Sequence, residues 1–207
     1  MQILKLLLIL ILSGILFSWA CTPETNTGLS PLEISDDEIR GADGTLLLRL
    51  DVLPANIRVD DQIQFGATNR FLEAALSPDQ NNLVVVTGGT SHSAGWLISL
   101  ESKVPLPAAF QYGGGLSAGP WSEDCRWAVF IHEGPAGDRT LSVSDRERSG
   151  ETVQHRTVAV QTPDHYERPP EERNYENEEW QNSRLHFHLD GESWAFNPDT
   201  GMTEQLD

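Results

Sequence analysis

The chain has 207 residues, with 31 Asp and Glu against 14 Lys and Arg, a formal net charge of −17 and 39% hydrophobic residues. A surface so acidic excludes nucleic acid and bare anionic membrane as partners, because binding either depends on Lys and Arg neutralising phosphates. The length is enough for one domain with a real core.

In chain order, Lys5 is followed by "LLLILILSGILF", Leu6 to Phe17, an apolar run of signal-peptide length and too short to span a bilayer comfortably. Residues 1–20 are therefore expected to be an export signal. The run ends in "SWAC", which resembles the lipobox of bacterial lipoproteins, where cleavage precedes a cysteine that carries lipid. That resemblance implies acylation of Cys21 and a membrane-anchored protein of the bacterial cell envelope facing the periplasm. Ser18 and Trp19 depart from the usual pattern, and the alternative is ordinary cleavage nearby, with Cys21 free or paired to Cys125, the only other cysteine. Thr22 after the cysteine, rather than Asp, is consistent with sorting to an outer membrane. Residues 21–40, with Pro, Gly, small polar residues and an acidic cluster, read as a disordered stalk.

Residues 41–207 read as one all-β domain. Thr45 to Phe65 has strand-like composition and is a candidate for a degenerate fourth blade or for a strand lent to another blade. A short helix is conceivable at Thr68 to Leu76; elsewhere period-two alternation and turn residues dominate. "SPDQNNLVVV" from Ser77 and "SEDCRWAVFI" from Ser122 place a Ser-x-Asp turn before a continuous apolar run, forty-five residues apart. The serine hydrogen-bonds forward, Pro or Glu takes the second position, and Asp tolerates the third, so a type I turn is expected. The runs "LVVV" and "AVFI" do not alternate, as strands buried on both faces do not. Superposing the turns sets Val84 over Val129, Val85 over Phe130 and, farther on, Ile98 over Val143. A third copy starts at Glu179, with Trp180 over Trp121, Leu185, Phe187 and Leu189 over Trp127, Val129 and Ile131, and the turn "DTG" at Asp199 to Gly201.

These units of 40 to 45 residues resemble the WD40-like repeats of the TolB-type β-propellers, whose blades carry a W-S-P-D-G turn before a buried strand and a D-x-x-T-G turn near the end. Ser77, Pro78 and Asp79 match the first turn, as do Trp121, Ser122 and Asp124; Asp199, Thr200 and Gly201 match the second. Gln80 and Cys125 stand where that family prefers glycine. The resemblance implies a propeller-like array of three to four four-stranded blades, closed or incomplete.

Four features bear on function. "GLSAG", Gly115 to Gly119, has the G-x-S-x-G pattern with Ser117 at its centre, but no helix follows, and a nucleophile elbow needs one. "LHFHL" puts His186 and His188 two apart on one strand face, with His165, Glu176, Glu178 and Glu179 near in sequence, a set that a metal could use. The competing expectation is that they form the polar outer face of a terminal repeat. The segment 162–180 is an acidic insertion whose Tyr166, Tyr175 and Trp180 are aromatic anchors for a partner. Cys125 is expected to be a buried, inert thiol. Together these lead to a non-enzymatic envelope lipoprotein that binds a protein or glycan and needs no cofactor, with a hydrolase or metal enzyme using Ser117 or the His186/His188 pair as the alternative.

Overall fold

The structure, a computed structural model, describes residues 32–66 and 68–207. The expected export signal, Cys21 and the start of the stalk lie outside the described residues.

Three antiparallel four-stranded meanders make up most of the chain. The first blade contains β6 (Arg70–Leu76), β7 (Asn82–Gly88), β8 (His92–Ser99) and β9 (Pro105–Tyr112). The second contains β10 (Gly115–Trp121), β11 (Trp127–Glu133), β12 (Arg139–Asp145) and β13 (Thr157–Val160), with one helical turn, α1 (Val153–Arg156), before β13. The third contains β14 (Tyr175–Gln181), β15 (Arg184–Leu189), β16 (Glu192–Asn197) and β17 (Met202–Gln205). The fold is thus the expected all-β, propeller-like array. The first strand of every blade shifts register against the second, at Phe71/Glu73, Ala118/Trp121 and Glu176/Glu179, and such bulges increase local twist.

The two Ser-x-Asp turns are the same structure. Ser77 Oγ donates to Asp79 Oδ1 at 2.5 Å and Ser122 Oγ to Asp124 Oδ1 at 2.6 Å; each Asp Oδ1 then accepts a backbone N–H, from Asn81 and from Arg126, both at 3.1 Å. The serine hydroxyls also accept the N–H that opens the next strand, from Asn82 at 3.0 Å and Trp127 at 2.9 Å. Gln80 and Cys125 adopt φ of 57° and 60°. These are left-handed conformations that glycine takes at no steric cost. The third blade replaces the motif with Asn182-Ser183, both at positive φ, a two-residue hairpin that matches strand twist.

Burial follows from this register. β7 is buried throughout, and so are the first four residues of β11. Val84, Val86 and Leu97 pack with Ala128 and Phe130 between the first two blades; Val129 and Val143 pack with Leu185 and Phe187 between the second and third. Val84 and Val129 are therefore equivalent. The partner of Val143, however, is Leu97 rather than Ile98, since Leu97 pairs with Val84 as Val143 pairs with Val129. The hairpin between β11 and β12 is one residue longer than that between β7 and β8, which moves the downstream alignment by one.

Three N-terminal expectations are corrected. Residues 32–40 are not stalk: β1 (Glu33–Ile34) and β2 (Glu38–Arg40) join β3 (Leu46–Arg49) in a sheet, and Ile39 is fully buried. Residues 45–65 form no fourth blade; they supply β3 and a hairpin of β4 (Asn56–Arg58) and β5 (Gln64–Gly66). Ile39, Leu48 and Ile57 from these pieces cover Leu83, Val85, Trp96 and Ile98 on the free face of the first blade. The helix weighed at residues 68–76 is strand β6, because a segment with alternating inward Phe71 and outward Arg70 and Leu72 finds its backbone partners on β7.

Candidate functional site

The insertion between the second and third blades is shorter than expected, because residues 175–181 are strand β14. Tyr175 is not a surface anchor: its ring is fully buried against Phe187, centroids 5.2 Å apart. Its hydroxyl lies 2.8 Å from His165 Nδ1 and accepts the Thr162 N–H at 3.4 Å. Burial, reinforced by the Arg173 charge, pushes the His165 pKa down. The hydrogen bond between the neutral ring and the tyrosine hydroxyl ties the loop to the core. Trp180 is half-buried and donates from Nε1 to the Pro120 carbonyl at 3.2 Å.

Tyr166 alone of the three aromatics is free, at 78% exposure. It stands edge-on to His165, centroids 5.0 Å apart, and Gln161 Nε2 donates to its hydroxyl at 2.9 Å. The loop's two arginines are spent inward. Arg168 pairs with Asp164 at 2.7 Å, and Arg173 donates to the Arg168 carbonyl from Nε at 3.0 Å and Nη2 at 2.7 Å. Glu167, Glu171 and Glu172 of the same loop are exposed, so the loop carries one free aromatic ring and three solvent-facing carboxylates.

His186 and His188 do share a face, half-buried and exposed respectively. Their place in the repeat needs correction. Trp180 pairs with Leu185 as Trp121 pairs with Ala128, so the histidines stand where the second blade has Val129 and Ile131, not Ala128 and Phe130. The two-residue turn of the third blade causes this shift. Leu185, Phe187 and Leu189 point back to the second blade, and the histidines point the other way. Glu179 pairs with His186 and Glu176 with His188 across the strands. Among the described residues no three His, Cys, Asp or Glu converge as a metal would require. Ser117 lies within β10 opposite Ile131, with strand after it, so the elbow that would expose its hydroxyl is not formed. Cys125 is buried and has no disulfide partner among the described residues, and burial raises its thiol pKa.

A second concavity went unread in the sequence. Between β9 of the first blade and β11–β13 of the second is a cleft of about 370 Å³, walled by Ala109, Phe110 and Leu141 and closed at one side by Val59 and α1. His132 and Ser142 reach it together. His132 Nε2 lies 2.8 Å from Ser142 Oγ, and Nδ1 lies 3.1 Å from Gln111 Oε1. Burial pushes the His132 pKa down to about 4. α1 is placed by Arg156, fully buried, whose guanidinium donates to the carbonyls of Asp145 and Gly150, both at 3.0 Å. Nothing in the spacing of Gln111, His132 and Ser142 marks them, since they meet across the β11–β12 pairing and a blade interface.

No family model matches the sequence, and no curated protein does. Solved structures are similar in part. TolB from Acinetobacter baumannii is 10% identical over 82% of this chain and 48% of its own, with a TM-score of 0.41. The β-propeller domain of the Trilobed protease from Pyrococcus furiosus is 11% identical over 82% and 47%, with a TM-score of 0.48. Hydrazine synthase from Kuenenia stuttgartiensis is 10% identical over 80% and 47%, with a TM-score of 0.45. The chain spans about half the length of these structures. Its own strands make it an all-β, propeller-like array of three four-stranded blades with two small sheets over the first.

Proposed function

We propose that the protein is an exported lipoprotein of a bacterial envelope, tethered through Cys21, that binds a protein partner at the loop 161–174. The observation that carries this reading is the exposed Tyr166 on a loop that is held by the His165–Tyr175 bond and that also exposes Glu167, Glu171 and Glu172. A rigid aromatic ring loses little entropy on binding and buries a large area. The exposed carboxylates of the loop favour a basic partner surface and speed its approach. The anchor rests on the apolar run before Cys21; among the described residues no helix is long and apolar enough to cross a membrane.

The test uses a photo-crosslinking amino acid in place of Tyr166, or on β17 as a control, in the native envelope. One defined protein captured only from position 166, at a yield reduced when Glu171 and Glu172 are both changed to Lys, supports the reading. Equal capture from both positions overturns it. Separately, Cys21→Ser is expected to release the protein from membranes or block its processing; wild type found wholly soluble would remove the anchor from the proposal.

A further inference from the structure

We propose that the cleft between the first and second blades is an ester-hydrolysing site in which Ser142 is the nucleophile, His132 its general base and Gln111 a positioning residue. This is independent of partner binding at the loop 161–174, and departs from the expectation of a protein without enzymatic activity.

Hydrogen-bond logic fixes the direction of every proton in the chain of three. Gln111 Nε2 donates to the Gly113 carbonyl at 3.0 Å and to that of Tyr112 at 3.4 Å. Carbonyls only accept, so the amide is oriented with Oε1 toward His132. Oε1 in turn can only accept, which places the imidazole proton on Nδ1 and leaves a lone pair on Nε2. Ser142 Oγ, 2.8 Å away, therefore donates to Nε2. A hydroxyl hydrogen-bonded to an imidazole base that a third group orients is the arrangement that activates a serine.

The surroundings agree with that use. Ser142 is 6% exposed and lines the cleft with His132, beside apolar Ala109 and Phe110 and the acidic Asp60. Thr140 and Gln154 line the same space and bring a hydroxyl and an amide. A volume of about 370 Å³ suits an ester with a short acyl chain. In the reaction, Ser142 Oγ bonds to the acyl carbon while its proton passes to His132 Nε2. The ester C–O bond then breaks, and the leaving alkoxide takes that proton. Water attacks the acyl-serine as its proton passes to His132 Nε2; the acyl C–Oγ bond then breaks, the carboxylic acid leaves, and Oγ takes the proton back from Nε2, restoring Ser142 and the neutral base.

The test is labelling of the folded full chain by a fluorophosphonate, whose phosphorus bonds to Oγ as fluoride leaves. Intact and peptide mass spectrometry are expected to find one adduct, on Ser142, in wild type and in Ser117→Ala, and none in Ser142→Ala. His132→Gln is expected to label about 10²-fold or more slowly, the usual contribution of a general base. If that variant does not fold by circular dichroism, Gln111→Ala on the outer strand replaces it and is expected to label at least about tenfold more slowly, since the tautomer is no longer set. The wild-type rate should stay level above about pH 5, because the base is already neutral there. No adduct on folded wild type, an adduct elsewhere, or an unchanged rate in the folded His132 or Gln111 variant overturns the proposal.

Discussion

Phe130 of the second blade packs against the bare Cα of Gly95 in the first: a Cβ at Gly95 would stand 2.3 Å from Phe130 Cε1 and 2.8 Å from Ala109 Cβ. The interface between the blades is thus closer than any side chain at position 95 permits. Gly95→Ala is expected to destabilise the fold by about 1–3 kcal/mol through overpacking. Urea unfolding measures it, and an unchanged midpoint would show that the blades are not in contact there. Val129→Ala, on the other side of the same sheet and fully buried, is expected to cost a similar ~1–3 kcal/mol through lost methyls and a residual cavity.

Gln80 is the opposite case. It is exposed, with φ of 57°, at the end of the first Ser-x-Asp turn. Glycine relieves the left-handed strain but adds entropy to the unfolded chain, and the first effect is the larger. Gln80→Gly is expected to stabilise by about 0.5–1 kcal/mol, seen as a higher Tm. Ser122→Ala, which removes the hydroxyl bridging Asp124 and the Trp127 N–H, should lower it by about 1–2 kcal/mol.

Stability should fall with acid before carboxylates titrate. His132, pushed down to about 4, and His165, also lowered by burial, bind fewer protons folded than unfolded. Their contribution is fully present above the unfolded value of about 6.5 and is lost as pH falls below it, for His132 down to about 4. For His132 the loss is on the order of 2–3 kcal/mol. The measurement is the unfolding free energy between pH 7.5 and 4.5. His132→Gln should flatten the slope; a parallel curve would mean that His132 titrates normally.

His186 and His188 can be removed together. With no third ligand converging on them among the described residues, the double His→Gln variant should melt within a degree or two of wild type. Neither protein should gain Tm from zinc, whereas a site that bound it would be stabilised in proportion to occupancy. A zinc-dependent rise in wild type that vanishes in the variant would restore the metal reading.

What the sequence determined by itself is what local chemistry decides. Ser77-Pro78-Asp79 and Ser122-Glu123-Asp124 specify a turn through their own side chains, and continuous "LVVV" and "AVFI" require burial on both faces, so blade type and the equivalence of Val84 and Val129 were legible. Tertiary structure alone decided the rest, because those outcomes depend on partners distant in sequence. Loop lengths one or two residues apart moved Leu97 into the place expected for Ile98, and His186 into that of Val129. Ile39 folds because the first blade leaves an apolar face for it to cover, which the polar composition of residues 21–40 does not reveal. Tyr175 is core rather than anchor because its neighbour in space is Phe187. Gln111, His132 and Ser142 become one constellation only when the outer strand of one blade is laid against the next, and no spacing along the chain encodes that contact.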